Sequence, residues 1–236
     1  MMYPTDCIQT IVGHDKWWEK QPTIKPERGC LAFSFIPHVD QLPYCFEPVG
    51  RLTATDHANA LVKVSPLKVD QPLKPTALPV AAMTLHDGEV WAAYRAKKRP
   101  CLILNNHCPA VQPELAKGMP SNSTAQTLIV APYYGVKRNN HRAGYKAEFV
   151  ECVRHCQLPQ FVWDMLPFSG GEESILRLDH MQPIGGHYGA LKLSGYKLSS
   201  DAMAVLDELL SWVIWGGVPE DSLVAMYRSD IEATFV

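Results

Sequence analysis

The stretch Arg99-Pro100-Cys101-Leu102-Ile103-Leu104-Asn105-Asn106 decides how the chain is read. A continuous apolar run, closed by a proline on one side and paired asparagines on the other, describes a short buried strand. Its neighbours repeat the theme. Upstream, Glu89-Val90-Trp91-Ala92-Ala93-Tyr94 follows a turn at Asp87-Gly88, the order expected of a strand after a tight turn. Downstream, Thr127-Leu128-Ile129-Val130-Ala131 is a further apolar run, which Pro132 is expected to stop. Ser174-Ile175-Leu176-Arg177-Leu178-Asp179 alternates as a half-buried strand does. Short strands punctuated by Pro, Gly and Asn predict a small barrel or a strongly bent sheet.

One clear helix follows these strands. Ser199-Ser200 supplies the N-cap and Asp201 sits in the favourable first turn. Ala202, Val205, Leu206, Leu209 and Val213 recur at helical spacing until Gly216-Gly217 and Pro219 end the run. A short second helix is expected over 220–227. Residues 145–156 read two ways: Tyr145, Ala147 and Phe149 alternate like a strand, whereas Phe149, Cys152, Val153 and Cys156 repeat like a helix. A strand passing into a turn or short helix accommodates both.

Ahead of residue 80, closely spaced prolines forbid long helices. Between them, Cys30–Ile36 and Ala60–Val64 read as strands, and the segment 67–79, with Pro72, Pro75 and Pro79, reads as an extended linker. The chain is therefore expected to divide into a β-rich, Pro-rich part over 1–80 and a second part over 81–236. Segment 28–35 is similar to 87–94, and 58–66 to 125–132, a hint of a pseudo-repeat, although matches this short arise easily among β-strands.

Composition bounds the function. A 47% hydrophobic, 19% charged chain is a folding one, which excludes a disordered or fibrous protein. A net charge of −2 provides no global cationic field, so any nucleic-acid contact must rest on a local basic patch. No long apolar stretch predicts a membrane span, and the opening residues do not read as a secretory signal. Seven cysteines in such a chain read as reduced thiols, which makes the cytoplasm the expected location. Cys152, His155 and Cys156 have a spacing that suits a metal, yet no CxxC pair accompanies them. Walker, Rossmann and GxSxG patterns are missing too, so no metal or cofactor is implied.

Taken in order, Gly88-Glu89-Val90-Trp91, Arg99-Pro100-Cys101-Leu102-Ile103-Leu104, Leu128-Ile129-Val130-Ala131-Pro132, Ala143-Gly144-Tyr145, Arg177-Leu178-Asp179 and the helix over 200–215 form a pattern. It resembles the MazF/PemK (Kid-like) family of toxin endoribonucleases, over roughly residues 86–216. The resemblance implies a mainly β fold with a C-terminal helix, built as an SH3-like small barrel. It also implies metal-independent cleavage of single-stranded RNA, an antitoxin protein as partner, and a homodimer or an intramolecular pseudo-dimer. The chain departs from the family in a short loop at Arg95-Ala96-Lys97-Lys98, in Tyr133-Tyr134-Gly135 where the family has Thr or Ser, and in an insertion over 152–167. These departures keep open a second reading, a catalytically inactive SH3-like barrel that binds RNA or protein.

The resemblance implies phosphate binding or acid assistance by Arg99, whose planar guanidinium suits phosphate oxygens. Arg177 and Asp179 complete the expected catalytic set. Lying two apart on a strand, they would share one face and could hold a phosphate and move a proton. Lys98, Tyr134, Lys137, Arg138 and His141 are the expected RNA-binding residues, combining charge with an aromatic stacking surface. His180 would alternate to the opposite face, as a strand-end or core histidine.

Overall fold

A computed structural model describes residues 3–22, 25–70, 83, 85, 88–106, 108–119, 121–137, 144–168, 170–187 and 189–234. The chain forms two compact units, one made of residues 1–35 and 98–236, the other of residues 36–97. The compositional break near residue 80 coincides with neither boundary. Residues 71–79 of the expected linker lie outside the described residues. The fold is mainly β with antiparallel pairing and a helical C-terminus.

The first unit is built on one sheet whose strands run in the order β1-β11-β2-β6-β7-β9-β8, with β10 also on β7. These are β1 (Trp18–Lys20), β2 (Cys30–Pro37), β6 (Ala96–Ile103), β7 (Thr127–Gly135), β8 (Phe161–Met165), β9 (Glu173–Arg177), β10 (Gln182–Gly185) and β11 (Leu191–Leu198). The apolar run of β6 is buried on both faces, whereas that of β7 alternates at its start, with Ile129 exposed. In β6, Cys101, Leu102 and Ile103 are all fully buried. In β9, Ile175 and Leu176 are both buried but join different clusters. The expected half-buried strand over 174–179 is therefore corrected twice: it is covered on both sides, and it ends at Arg177.

The strand β7 also runs past Pro132, where the sequence was expected to stop it. Proline cannot donate to a ladder, and the strand on that flank of β7 breaks beside it. Tyr133 lies opposite Leu176, whereas Val130 lies opposite Gln182. Three steps on β7 thus face six on its neighbour. Leu178–His180, a single 3-10 turn, takes up the difference between β9 and β10.

On one side of the sheet, α4 (Ser200–Trp215) lays Ala202, Met203, Val205, Leu206 and Leu209 against Leu31, Leu102, Tyr133 and Leu176. Val213 packs at the margin of this core. Ser199 caps the helix by accepting the Ala202 N–H at 3.1 Å, and Gly216 ends it at φ +84°, a conformation that favours glycine. The second helix, α5 (Leu223–Thr234), is longer than expected, and the Glu208 carboxylate accepts its first N–H groups from Leu223 and Val224. On the other side, α3 (Ala147–Arg154) resolves the ambiguity over 145–156 as helix, packing Val150 and Val153 on Trp163 and Ile175. α1 (Pro113–Ala116) and α2 (Ser121–Thr124) are single turns. No helix among the described residues is long and apolar enough to cross a membrane.

Two side-chain constellations fasten the amino-terminal segment to this unit. Asp6 receives Arg154 at 2.8 Å and lies 3.0 Å from Nε2 of His155, which is buried. Deeper inside, Asp164 of β8 is 1% exposed and accepts hydrogen bonds from Tyr133 Oη at 2.9 Å, Trp18 Nε1 at 3.2 Å and Tyr3 Oη at 3.4 Å. Trp18 stands on β1, so the two end strands of the sheet are joined through this carboxylate.

The second unit is a smaller antiparallel sheet in the order β4-β3-β5, from β3 (Tyr44–Gly50), β4 (Leu61–Pro66) and β5 (Trp91–Ala93). Phe46 lies opposite both Val64 and Trp91, which gathers apolar side chains on one face. Glu47 and Lys63 pair at 4.0 Å on the other. The segments that suggested a pseudo-repeat do not form equivalent structures. β2 and β7 belong to the large sheet, β4 and β5 to the small one.

Burial raises the Asp164 pKa from 3.8 to about 6, while its hydrogen bonds from Trp18 and Tyr133 act in the opposite direction. A carboxyl that binds its proton more tightly when folded gives stability that is complete below pH 4 and is lost as pH rises to about 6. The expected loss is on the order of 3 kcal/mol, read by urea unfolding across that window. Asp164→Asn should abolish this slope. Ser199→Ala should cost about 1 kcal/mol, and Leu206→Ala roughly 2–5 kcal/mol, in the same assay.

Candidate functional site

Three neighbouring strands carry the candidate site. Cys101 of β6 lies opposite Pro132 of β7, so continuing that register by two residues sets Arg99 across from Tyr134. Arg177 ends β9 on the far flank of β7. The side chains meet over one ring. The Arg99 guanidinium carbon stands 4.0 Å from the Tyr134 ring centroid and that of Arg177 stands 5.6 Å from it. Arg177 also lies 4.7 Å from the Phe161 ring. Aromatic faces attract cations, which is how one half-buried ring holds two guanidiniums near it.

Asp179 joins the group from the 3-10 turn. Arg177 grips it in a two-pronged ion pair, Nε to Oδ1 at 2.7 Å and Nη2 to Oδ2 at 2.6 Å. Burial works against the charge on Arg177, but the hydrogen bonds and charge of Asp179, with a contribution from Tyr145, hold its pKa above the ordinary arginine value. Arg99, Arg177, Asp179 and Tyr134 are thus brought together. The route differs from the expected one, because Asp179 reaches Arg177 by a turn and not by strand alternation.

The other expected residues are not in this cluster. Lys98 alternates to the opposite face of β6 from Arg99, with its ammonium 5.9 Å from the Phe33 ring. Lys137 is exposed just past the end of β7. Arg138 and His141 lie outside the described residues.

No family model, curated protein or solved structure matches this chain. Its chemistry has to be read from the side chains.

His180 is the residue that sequence reasoning misplaced. The turn over Leu178–His180 rotates it back toward β7, where Nδ1 lies 2.9 Å from Tyr134 Oη. Its Nε2 lies 2.7 Å from Arg177 Nη2, and the ring meets Tyr134 edge-on at 5.6 Å. The available signal was Pro132, which cannot complete a ladder opposite this stretch. Phe161, the second aromatic wall of Arg177, carried no signal at all. The assembled group is two permanent cations, an imidazole, a phenol and a carboxylate, which can bind a phosphodiester and move protons beside it.

A separate cleft of about 480 Å³ lies at the opposite end of β7, lined by Thr127, Leu128, Gly185 and His187. None of its lining residues carries a permanent charge, so it lacks the cations a phosphate requires.

Tyr134→Leu should destabilise the protein by about 2 kcal/mol, since it removes the ring both arginines share. Tyr134→Phe keeps that ring and should cost under about 1 kcal/mol. Urea unfolding of the two variants measures the difference.

Proposed function

We propose that the chain binds single-stranded RNA at the cluster around Tyr134 and cleaves it without a metal ion, as its resemblance to the MazF/PemK family implies. The observation that supports this reading is the convergence of Arg99 and Arg177 on one aromatic ring beside a carboxylate and an imidazole. Cleavage of this type needs a base for the 2′-hydroxyl and cations for the charge that grows on phosphorus. Arg99 and Arg177 supply the cations. Tyr134 and the neighbouring Lys137 extend the contact to bases and backbone. The same reading makes the large sheet an SH3-like barrel and the protein a cytoplasmic toxin. An antitoxin and a second copy of the chain are its partners.

One observation favours a second reading. Arg177 and Asp179 already satisfy each other, and a locked ion pair suits a surface that binds RNA or protein without catalysis.

Incubation of the purified chain with a single-stranded RNA in EDTA decides between them. The expected products carry a 2′,3′-cyclic phosphate and a 5′-hydroxyl. Arg99→Ala should slow cleavage roughly 10²-fold or more, the usual effect of removing one preorganised donor. RNA that is bound and left intact would replace the enzyme with the binding module. A chain that neither binds nor cleaves RNA would end both readings.

A further inference from the structure

We propose that His180, and not Asp179, is the base of this site, held latent by Arg177 until a substrate phosphate draws the guanidinium away. This rests on the reading of the cluster as a site of RNA cleavage.

The argument begins with hydrogen-bond capacity. An arginine only donates, so where Arg177 Nη2 meets His180 Nε2 at 2.7 Å the imidazole nitrogen is the acceptor. Nε2 therefore carries a lone pair. The one proton of the neutral ring sits on Nδ1, which donates to Tyr134 Oη at 2.9 Å. Tyr134 is thus a positioning residue that fixes the tautomer in which Nε2 is basic. Asp179 is placed differently. Both its oxygens accept from Arg177, at 2.7 and 2.6 Å, so one lone pair on each is directed at the guanidinium. Taking a proton there would neutralise the charge that assists this pair, whereas Nε2 meets Arg177 through a single N–H.

The surroundings of the ring are mixed. Arg177 and Asp179 approach it from its own segment, Tyr134 from β7, and Arg99 from β6 across the tyrosine ring. Gln182 of β10 bonds its backbone oxygen at 3.5 Å, and Phe161 of β8 faces Arg177 from behind. A second proton on the imidazole would set Nε2–H against an arginine N–H, with like charges in contact. The resting arrangement consequently favours the neutral ring.

A phosphodiester changes the balance, because it offers Arg177 anionic oxygens while Asp179 keeps its own grip on the guanidinium. Once Nη2 leaves Nε2, the 2′-hydroxyl proton passes to that nitrogen. The O2′–P bond forms and the P–O5′ bond breaks. The 5′-oxygen takes a proton from water, and the hydroxide left behind receives the proton held by the imidazolium. The products are a cyclic phosphate and a 5′-hydroxyl, with the imidazole restored.

The test is kcat/KM against pH for cleavage of a mixed-sequence single-stranded RNA, beside ¹⁵N NMR of the imidazole. Wild type should show an acid limb, its rate rising with pH as the ring loses its second proton. His180→Gln should lose that limb and roughly 10²–10⁴-fold in rate, the range for a general base. Asp179→Asn should retain the limb. In the unliganded protein His180 should be the Nδ1–H tautomer, and a dinucleotide with a non-cleavable 2′-methoxy group should shift the Nε2 resonance. A limb that vanishes in Asp179→Asn and persists in His180→Gln assigns the base to Asp179 and overturns the proposal. A resting Nε2–H tautomer overturns it independently of activity. Wild-type protein that binds RNA without cleaving it ends the underlying reading and the proposal with it, even where the tautomer is as described.

Discussion

A sheet that pairs in an open path must still dispose of its two ends, and here a single buried carboxylate does so. Asp164 on the last strand accepts from Trp18 on the first, and from Tyr133 at the centre and Tyr3 near the amino terminus. Backbone ladders close most curved sheets edge to edge. In this unit indole and phenol donors around one acceptor join the two end strands, which ties their contact to a titratable group. Removing the acceptor would leave the buried Tyr133 hydroxyl without this bond and break the Trp18 link at the same time, so its loss costs more than one hydrogen bond.

The candidate site depends on a different local constraint. Pro132 sits in a buried strand where a donor is missing, and the facing chain answers with three surplus residues. That irregularity makes the cluster possible. A regular strand through residues 177–182 would send Asp179 and His180 to opposite faces. The turn instead presents both to Arg177, while the regular β6–β7 register delivers Arg99 to the same ring. Ordered pairing supplies the cations, and its interruption supplies the acid–base groups.

How much of this could be read from the chain follows from the range of each signal. The α4 helix was legible because its cap, apolar spacing and terminal glycine are all local. The runs at 101–104 and 127–131 were legible as strands for the same reason. The burial of β9 on both faces was not, since Ile175 and Leu176 depend on layers contributed by α3 and α4 from distant sequence. The Arg99–Arg177–Asp179 grouping was found through resemblance, and Tyr134 as an expected RNA-binding residue. His180 was missed because alternation was carried through a point where the ladder breaks. The two units are also bounded elsewhere than the expected division at residue 80. Composition changes near residue 80, but the units are delimited by which strands pair, and pairing is a long-range property.

The topology also orders events in time. The smaller sheet is closed by pairs among β3, β4 and β5, all of which have been synthesised once Ala93 is made. The larger one cannot close so early. β1 pairs with β11, which ends at Leu198, and Tyr3 bonds Asp164, 161 residues further along. A nascent chain emerging from the ribosome would thus carry a completed inserted module while its first residues, Tyr3 and Trp17 among them, still lack partners. Contacts of such long sequence separation form slowly and leave adhesive surface uncovered meanwhile. The early residues of this protein are the ones most in need of a chaperone.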